Sequence, residues 1–266
     1  MEQELLRRVQ LEQLNIAKEI DRVCRKNNIQ YFLDSGSMLG AVRHRGFIPW
    51  DDDLDIGMLR EDYNRFSAIA SDELGDSYVW QTWNNDSQYA VPFGKVRKKG
   101  TIYLEKRSPV LKENGIFVDV LPYDYAPEDN MEWKKLWRKH NEIYQSLLVK
   151  SHYKPWIING KTKTKTRIHF IYYRFLSMFL TRKQLIQQYE AITDKVNSTN
   201  YVYQQTGTKR YCIDWFKSVI YVDFEDVKLP ILSSYHEWLS EAYGDYMTPP
   251  PESEREDKHE IYKIEF

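Results

Sequence analysis

Apolar positions in the first 27 residues recur at helical spacing. Leu5, Val9, Leu14, Ala17, Ile20 and Cys24 fall on one side, with Arg7, Glu12, Lys18 and Arg22 on the other, and this predicts an opening amphipathic helix. Asn27-Asn28 ends it. Tyr31-Phe32-Leu33 then reads as a short buried strand, followed by the turn-like Asp34-Ser35-Gly36-Ser37 and a helix from Met38 to His44. Gly46 and Pro49 break that helix. Leu54-Asp55-Ile56 alternates as a strand does, and residues 60 to 74 return to helical spacing through Tyr63, Phe66 and Ile69. Short strands are predicted over 78–83, 91–96, 101–104 and 116–121, with Asn84-Asn85 and Lys99-Gly100 as turns.

Beyond Pro127 the pattern becomes helical, over 131–148, 168–180 and 185–196, broken by Asn159-Gly160-Lys161. Residues 201–224 read as paired strands and 235–243 as a last short helix, before a polar tail that starts at Pro249. The class is therefore α/β, a mixed sheet with flanking helices and a helical elaboration. We divide the chain into a catalytic core (1–127), the helical elaboration (128–200) and C-terminal strands and helix that complete the core (201–266).

Charge narrows the partners. Lys and Arg total 38 against 39 Asp and Glu, a net charge of -1, so no whole-molecule field draws the chain to nucleic acid and phosphate binding must be local. Two cysteines, Cys24 and Cys212, are too few for a disulfide framework or a cysteine zinc site. With no apolar leader and no long apolar span, the expected location is the cytoplasm.

The segment from Leu33 to Met58, LDSGSMLGAVRHRGFIPWDDDLDIGM, concentrates Gly, Ser, Arg and Asp in a way that burial does not explain. On a strand through Leu54, Asp53 and Asp55 face the same side. Carboxylates held that close repel unless a cation lies between them, and an all-oxygen set suits Mg²⁺ or Mn²⁺. A solvated acidic turn is the plainer alternative, but Ile48, Trp50, Leu54 and Ile56 bracket the run. Gly36-Ser37 before a helix offers free backbone N–H groups to a phosphate. Asp119, inside the apolar run Ile116 to Leu121, supplies a third carboxylate, or is a buried acid satisfied by backbone donors. Arg43, His44 and Arg45 close the helix after the Gly-Ser turn. Lys95 and Arg97 share one strand face, and with Arg43 they are candidate phosphate ligands.

These residues carry a resemblance. GSMLGAVRHRGFIPWDDDLDIGM with the following REDYNRF resembles the signature of the LicD family, bacterial enzymes that decorate glycans with phosphocholine and share a module with the fukutin-type ribitol-phosphate transferases. PFGKVRKKGTIYLE, GIFVDVLPYD and EAYGDYM also look like landmarks of that family, so the similarity covers most of the chain outside about 128 to 200. The resemblance implies a nucleotidyltransferase-type fold. Its pattern of a Gly-Ser turn, a paired acidic motif and a third acid on a later strand falls here on Gly36-Ser37, Asp53 with Asp55, and Asp119, the three acids acting as metal ligands and catalytic residues.

It further implies a CDP-activated donor: CDP-choline, or CDP-ribitol or CDP-glycerol. The acceptor would be a sugar hydroxyl of a cell-surface glycan precursor of the teichoic acid type, lipid-linked at the inner face of the membrane, and CMP would leave. Nucleotidyl transfer is the competing reaction on the same fold. A choline donor calls for aromatic walls, for which Trp50, Trp80, Trp83, Trp156 and Trp215 are candidates. Lys161, Lys163, Lys165 and Arg167 lead into an aromatic helix. Its simpler reading is a core helix, and its alternative a peripheral membrane contact.

Overall fold

The computed structural model describes residues 2–154, 164–194, 196, 199–255 and 260–266. The opening helix α1 (Gln3–Lys26) buries Val9, Ile16, Ala17, Ile20, Val23 and Cys24 on one stripe, as its periodicity requires. Strand β1 (Phe32–Leu33), helix α2 (Ser35–His44), strand β2 (Asp55–Leu59) and helix α3 (Arg60–Glu73) follow. Next come β3 (Tyr78–Gln81), β4 (Gly94–Lys98), β5 (Ile102–Glu105) and the long β6 (Phe117–Ala126). Helices α4 (Asn130–Lys150), α5 (Thr164–Ser177) and α6 (Arg182–Thr193) form the helical part. The chain closes with β7 (Tyr201–Gln204), β8 (Tyr211–Cys212), β9 (Val219–Phe224), β10 (Val227–Leu232), α7 (Tyr235–Tyr243) and β11 (Ile261–Glu265).

The fold is the mixed α/β arrangement that the sequence predicts. Strands run in the order β1-β2-β6-β4-β3, with β7 also paired to β6 and β8 to β7. Among the described strands only β2 and β6 are parallel; α3 opens the long connection between them. That single parallel pair matters most for the site, because its register sets Asp55 opposite Asp119.

One core joins α1, α2, α3 and α7 to the sheet through residues such as Phe32, Phe66, Val118 and Trp238. A second gathers α4 and α6 around Leu147, Leu185 and Tyr189, over Ala90. The C-terminal pattern departs from expectation in two places. β9 pairs not with the preceding strands but with β10, which contains Pro230, and the polar tail ends in β11, which adds to β5. Among the described residues no helix is long and apolar enough to cross a membrane.

Candidate functional site

The acidic run from Asp51 to Asp55 is held from both sides. Leu54 and Ile56 are fully buried, which fixes the alternation of β2. On the α1 side two buried amides act on the main chain. Gln10 donates to the carbonyls of Ile48 and Asp51, the latter at 2.9 Å, and Gln13 donates to that of Asp52 at 2.9 Å. On the α2 side the Ser37 Oγ accepts from the Asp55 N–H at 2.9 Å. Gly36 faces the Asp51 carboxylate so closely that a Cβ would meet its Oδ2 at 2.7 Å, so any larger residue at 36 would have to push that carboxylate aside.

The carboxylates of Asp51, Asp52 and Asp53 lie within 4.8 Å of one another. Asp55 and Asp119 are register partners on β2 and β6, and Lys95 on β4 is the partner of Asp119 on its other side. Lys95 Nζ stands 2.6 Å from Asp119 Oδ1 and 3.3 Å from the centre of the Phe117 ring. Arg97, buried two residues on, donates to Gln81 Oε1 and, at 2.7 Å, to the Gly115 carbonyl.

Asp53, Asp55, Lys95, Arg97 and Asp119 all line one cavity of about 370 Å³. Burial pushes the Asp55 carboxyl well above the ordinary range, and the charges of Asp53 and Asp119 push it further. Burial also raises Asp119, against the opposing pull of Lys95. Asp34, the N-cap of α2, is fully buried and held by Tyr123 and Gln204. Burial raises it to about 6, against those hydrogen bonds.

Other sequence candidates fall elsewhere. Gly36 and Ser37 lie inside α2, which starts at Ser35, rather than in an open turn; Ser35 is the residue of this stretch that reaches the cavity wall. Arg43 donates to the Tyr246 carbonyl at 2.9 Å, outside the cavity lining. His44 meets Trp50 edge-on. Trp80 is core, packed on Phe66 with its indole N–H on Ser67, and Trp83 packs on Tyr189. Trp215 neighbours Tyr211, and Trp156 lies outside the described residues.

The aromatic walls come instead from Tyr89, Phe93, Tyr144 and Tyr153, with Glu105 and Arg107 beside them. Tyr89 is fully buried and its hydroxyl has no hydrogen-bond partner. Sequence reading missed these four because they sit on a loop, on α4 and just after α4, and no local spacing brings them together.

The donor set fits a hard divalent cation. Asp53 belongs both to the close 51–53 cluster and to the cavity that holds Asp55 and Asp119. An all-oxygen cluster such as Asp51, Asp52 and Asp53 suits a hard cation better than a softer metal, since no sulfur or imidazole ligand stands among them.

Residues 28–157, which include all of these acids, match the family described as LicD/FKTN/FKRP, nucleotidyltransferase domain. The chain is also 30% identical, over 96% of its own length and 96% of the relative's, to a lipopolysaccharide cholinephosphotransferase LicD of Haemophilus influenzae. It belongs to the LicD family. A ribitol 5-phosphate transferase FKRP, of human and of mouse, is 25% identical over 47% of this chain and 23% of the relative. An uncharacterised protein of Rickettsia typhi is 52% identical over a 54-residue stretch. The named LicD-family relatives are thus phosphotransferases that differ in the alcohol they carry.

Proposed function

We propose that this chain transfers phosphocholine from CDP-choline to a sugar hydroxyl of a cell-surface glycan precursor, releasing CMP. The observation that carries the reading is the pairing of Asp55 with Asp119 inside a cavity that also holds Asp53, Lys95 and Arg97, in a chain alike over nearly its full length to a cholinephosphotransferase.

Asp53, Asp55 and Asp119 would hold Mg²⁺ or Mn²⁺, which when bound neutralises charge on the pyrophosphate. Lys95 supplies a fixed positive charge at one edge of the carboxylates. Its flank against Phe117 keeps the ammonium aimed there rather than into water. Arg97 is already committed to Gln81 and Gly115, so it shapes the wall and contributes field rather than a free fork. An acceptor hydroxyl attacks the phosphorus that carries the alcohol; the new P–O bond forms as the bond to CMP breaks, and the hydroxyl proton passes to a carboxylate.

The alcohol end is read from the walls. Tyr89, Phe93, Tyr144 and Tyr153 are π-faces, and Glu105 is an acid close to Tyr144 and Tyr153, which together suit a quaternary ammonium. A polyol needs several paired hydrogen-bonding groups instead. Four aromatic faces beside one acid favour choline over ribitol or glycerol at this end of the cavity.

The experiment is incubation of the protein and Mg²⁺ with CDP-choline, CDP-ribitol and CDP-glycerol in turn, following CMP. CMP from CDP-choline alone or preferentially is the expected result. Release of phosphocholine, or use of CTP with pyrophosphate release, would replace this reading by nucleotidyl transfer.

A further inference from the structure

Helix α5 turns its apolar side the wrong way for a core helix. Ile168, Ile171 and Phe175 recur at intervals of three and four, and Met178 and Phe179 continue the stripe just past its last residue. All five are exposed, with Ile171 at 67%, Met178 at 70% and Phe179 at 74%. The inner side does the seating. Ser177 is buried, Phe170 and Tyr173 are half-buried, and the Lys150 ammonium donates to the Ser177 carbonyl at 3.0 Å, fastening the end of α5 to α4. A contiguous apolar stripe of this kind on an outward face marks an interaction surface.

Charge selects the occupant. Arg167 and Arg174 are exposed along one edge of the stripe, and Lys150 and Lys154 line the furrow beneath the helix. A second copy of this chain would bring the same cations against them. An anionic surface with an apolar interior answers both the stripe and its rim.

The furrow leads inward. A cavity of about 370 Å³ under α5, walled in part by Gln145, His169 and Tyr173, shares Arg107, Leu148 and Tyr153 with the carboxylate cavity. A neighbouring one, which includes Arg174 and Met178, shares Tyr153, Lys154 and Phe170 with it. The walls around Asp119 thus connect to the foot of the exposed stripe.

We propose that α5 docks this protein on an anionic lipid bilayer, its stripe in the headgroup layer and its arginines on lipid phosphates. The furrow then receives an acceptor carried in that bilayer and leads it toward Asp119; this second half rests on the transferase reading, the docking does not.

The test is flotation of the full chain, without donor, with vesicles of phosphatidylcholine and with vesicles of phosphatidylcholine plus phosphatidylglycerol. The wild type should float with the anionic vesicles and not with the neutral ones. Phe175→Ser/Met178→Ser and Arg167→Glu/Arg174→Glu should each lose at least about tenfold in vesicle affinity. Their melting temperature should be unchanged, since all four side chains are exposed. Equal flotation of both variants and wild type, or no flotation of any, would overturn the docking. So would a wild-type dimer that becomes monomeric in Phe175→Ser/Met178→Ser, which would give the stripe to a second copy. Absence of CMP release from every CDP-alcohol, with flotation intact, would instead strike the transferase reading and leave the docking standing.

Discussion

Asp55 and Asp119 stand opposite one another on the only parallel strand pair of the described sheet, and Lys95 flanks Asp119 from the other side. Residues far apart in sequence are thereby fixed by backbone hydrogen bonds rather than by side-chain choice. Repulsion between the two acids is therefore built into the fold and is relieved only by a proton or a cation.

Asp55→Asn and Asp119→Asn should each lower CMP release by about 100-fold or more, the scale on which removal of one electrostatic group slows a preorganised site. The melting temperature of metal-free Asp55→Asn should hold or rise, because the change removes a buried acid among like charges, whereas Asp119→Asn leaves the buried Lys95 ammonium without its carboxylate and should lower it. Titration with Mg²⁺ separates the roles. A near-normal rate for Asp119→Asn with a lowered melting temperature would make that residue a structural acid.

Tyr89→Phe removes a buried hydroxyl that no protein group satisfies, so folding should be unharmed or slightly strengthened. If the hydroxyl meets substrate, KM for the CDP-alcohol rises with little change in melting temperature. Tyr153→Leu keeps an apolar side chain but removes a π-face, and KM for CDP-choline should rise about fivefold, the order of one cation–π contact. KM for CDP-glycerol should be unmoved. An equal rise for both donors would take Tyr153 out of the alcohol subsite.

Arg60 grips Asp124 through two bonds, at 2.6 and 2.7 Å, behind the site and outside the cavity lining. Asp124→Ala strands the guanidinium beside a buried position and should cost about 3 kcal/mol, the low end for a broken buried pair because Arg60 keeps some solvent contact. Urea unfolding measures the loss. The Mg²⁺ requirement should not change, which distinguishes a support of β6 from a member of the site.

His140 stacks on Tyr189 at 4.2 Å and exchanges hydrogen bonds with Tyr203 and Thr193; burial lowers its pKa to about 4. The unfolded chain takes up a proton near the ordinary 6.5, the folded one only near 4. Stability present above about 6.5 is therefore lost as pH falls toward 4, by about 3 kcal/mol in total. Asp34, raised to about 6, works in the opposite direction over much of that range. The difference between wild type and His140→Gln isolates the histidine: melting temperature should fall less steeply below pH 6.5 in the variant.

Legibility in the sequence followed locality. The stripe of α1, the acidic pair of β2 and Asp119 in an apolar strand could all be read from period and composition. β11 was missed because Ile261-Tyr262-Lys263-Ile264-Glu265 follows a proline-rich polar stretch, and only its pairing with β5 makes it a strand. β10 carries a proline that argues against a strand, but it pairs with β9 alone, in a two-stranded ribbon where one missing donor is tolerated. Tryptophans are the candidate walls for a choline donor in the sequence, yet bulk drew Trp80 into the core, while tyrosines from three separate segments met at the cavity. Gln10 and Gln13 were hidden in the apolar stripe of α1, although an uncharged amide on that stripe is the signal of a buried main chain needing a donor. Ser37 could be recognised as special in the sequence, but its bond to the Asp55 amide is visible only in the fold.

The direction of group transfer is the most direct test of the proposed chemistry. CDP-choline labelled on the choline methyls, and separately on the cytosine, is incubated with the protein, Mg²⁺ and glycan acceptor, and the glycan is isolated. Choline label on the glycan with cytosine label recovered as CMP is the predicted result. Cytosine label on the glycan would contradict it, because the acceptor would then have attacked the nucleotide phosphorus instead.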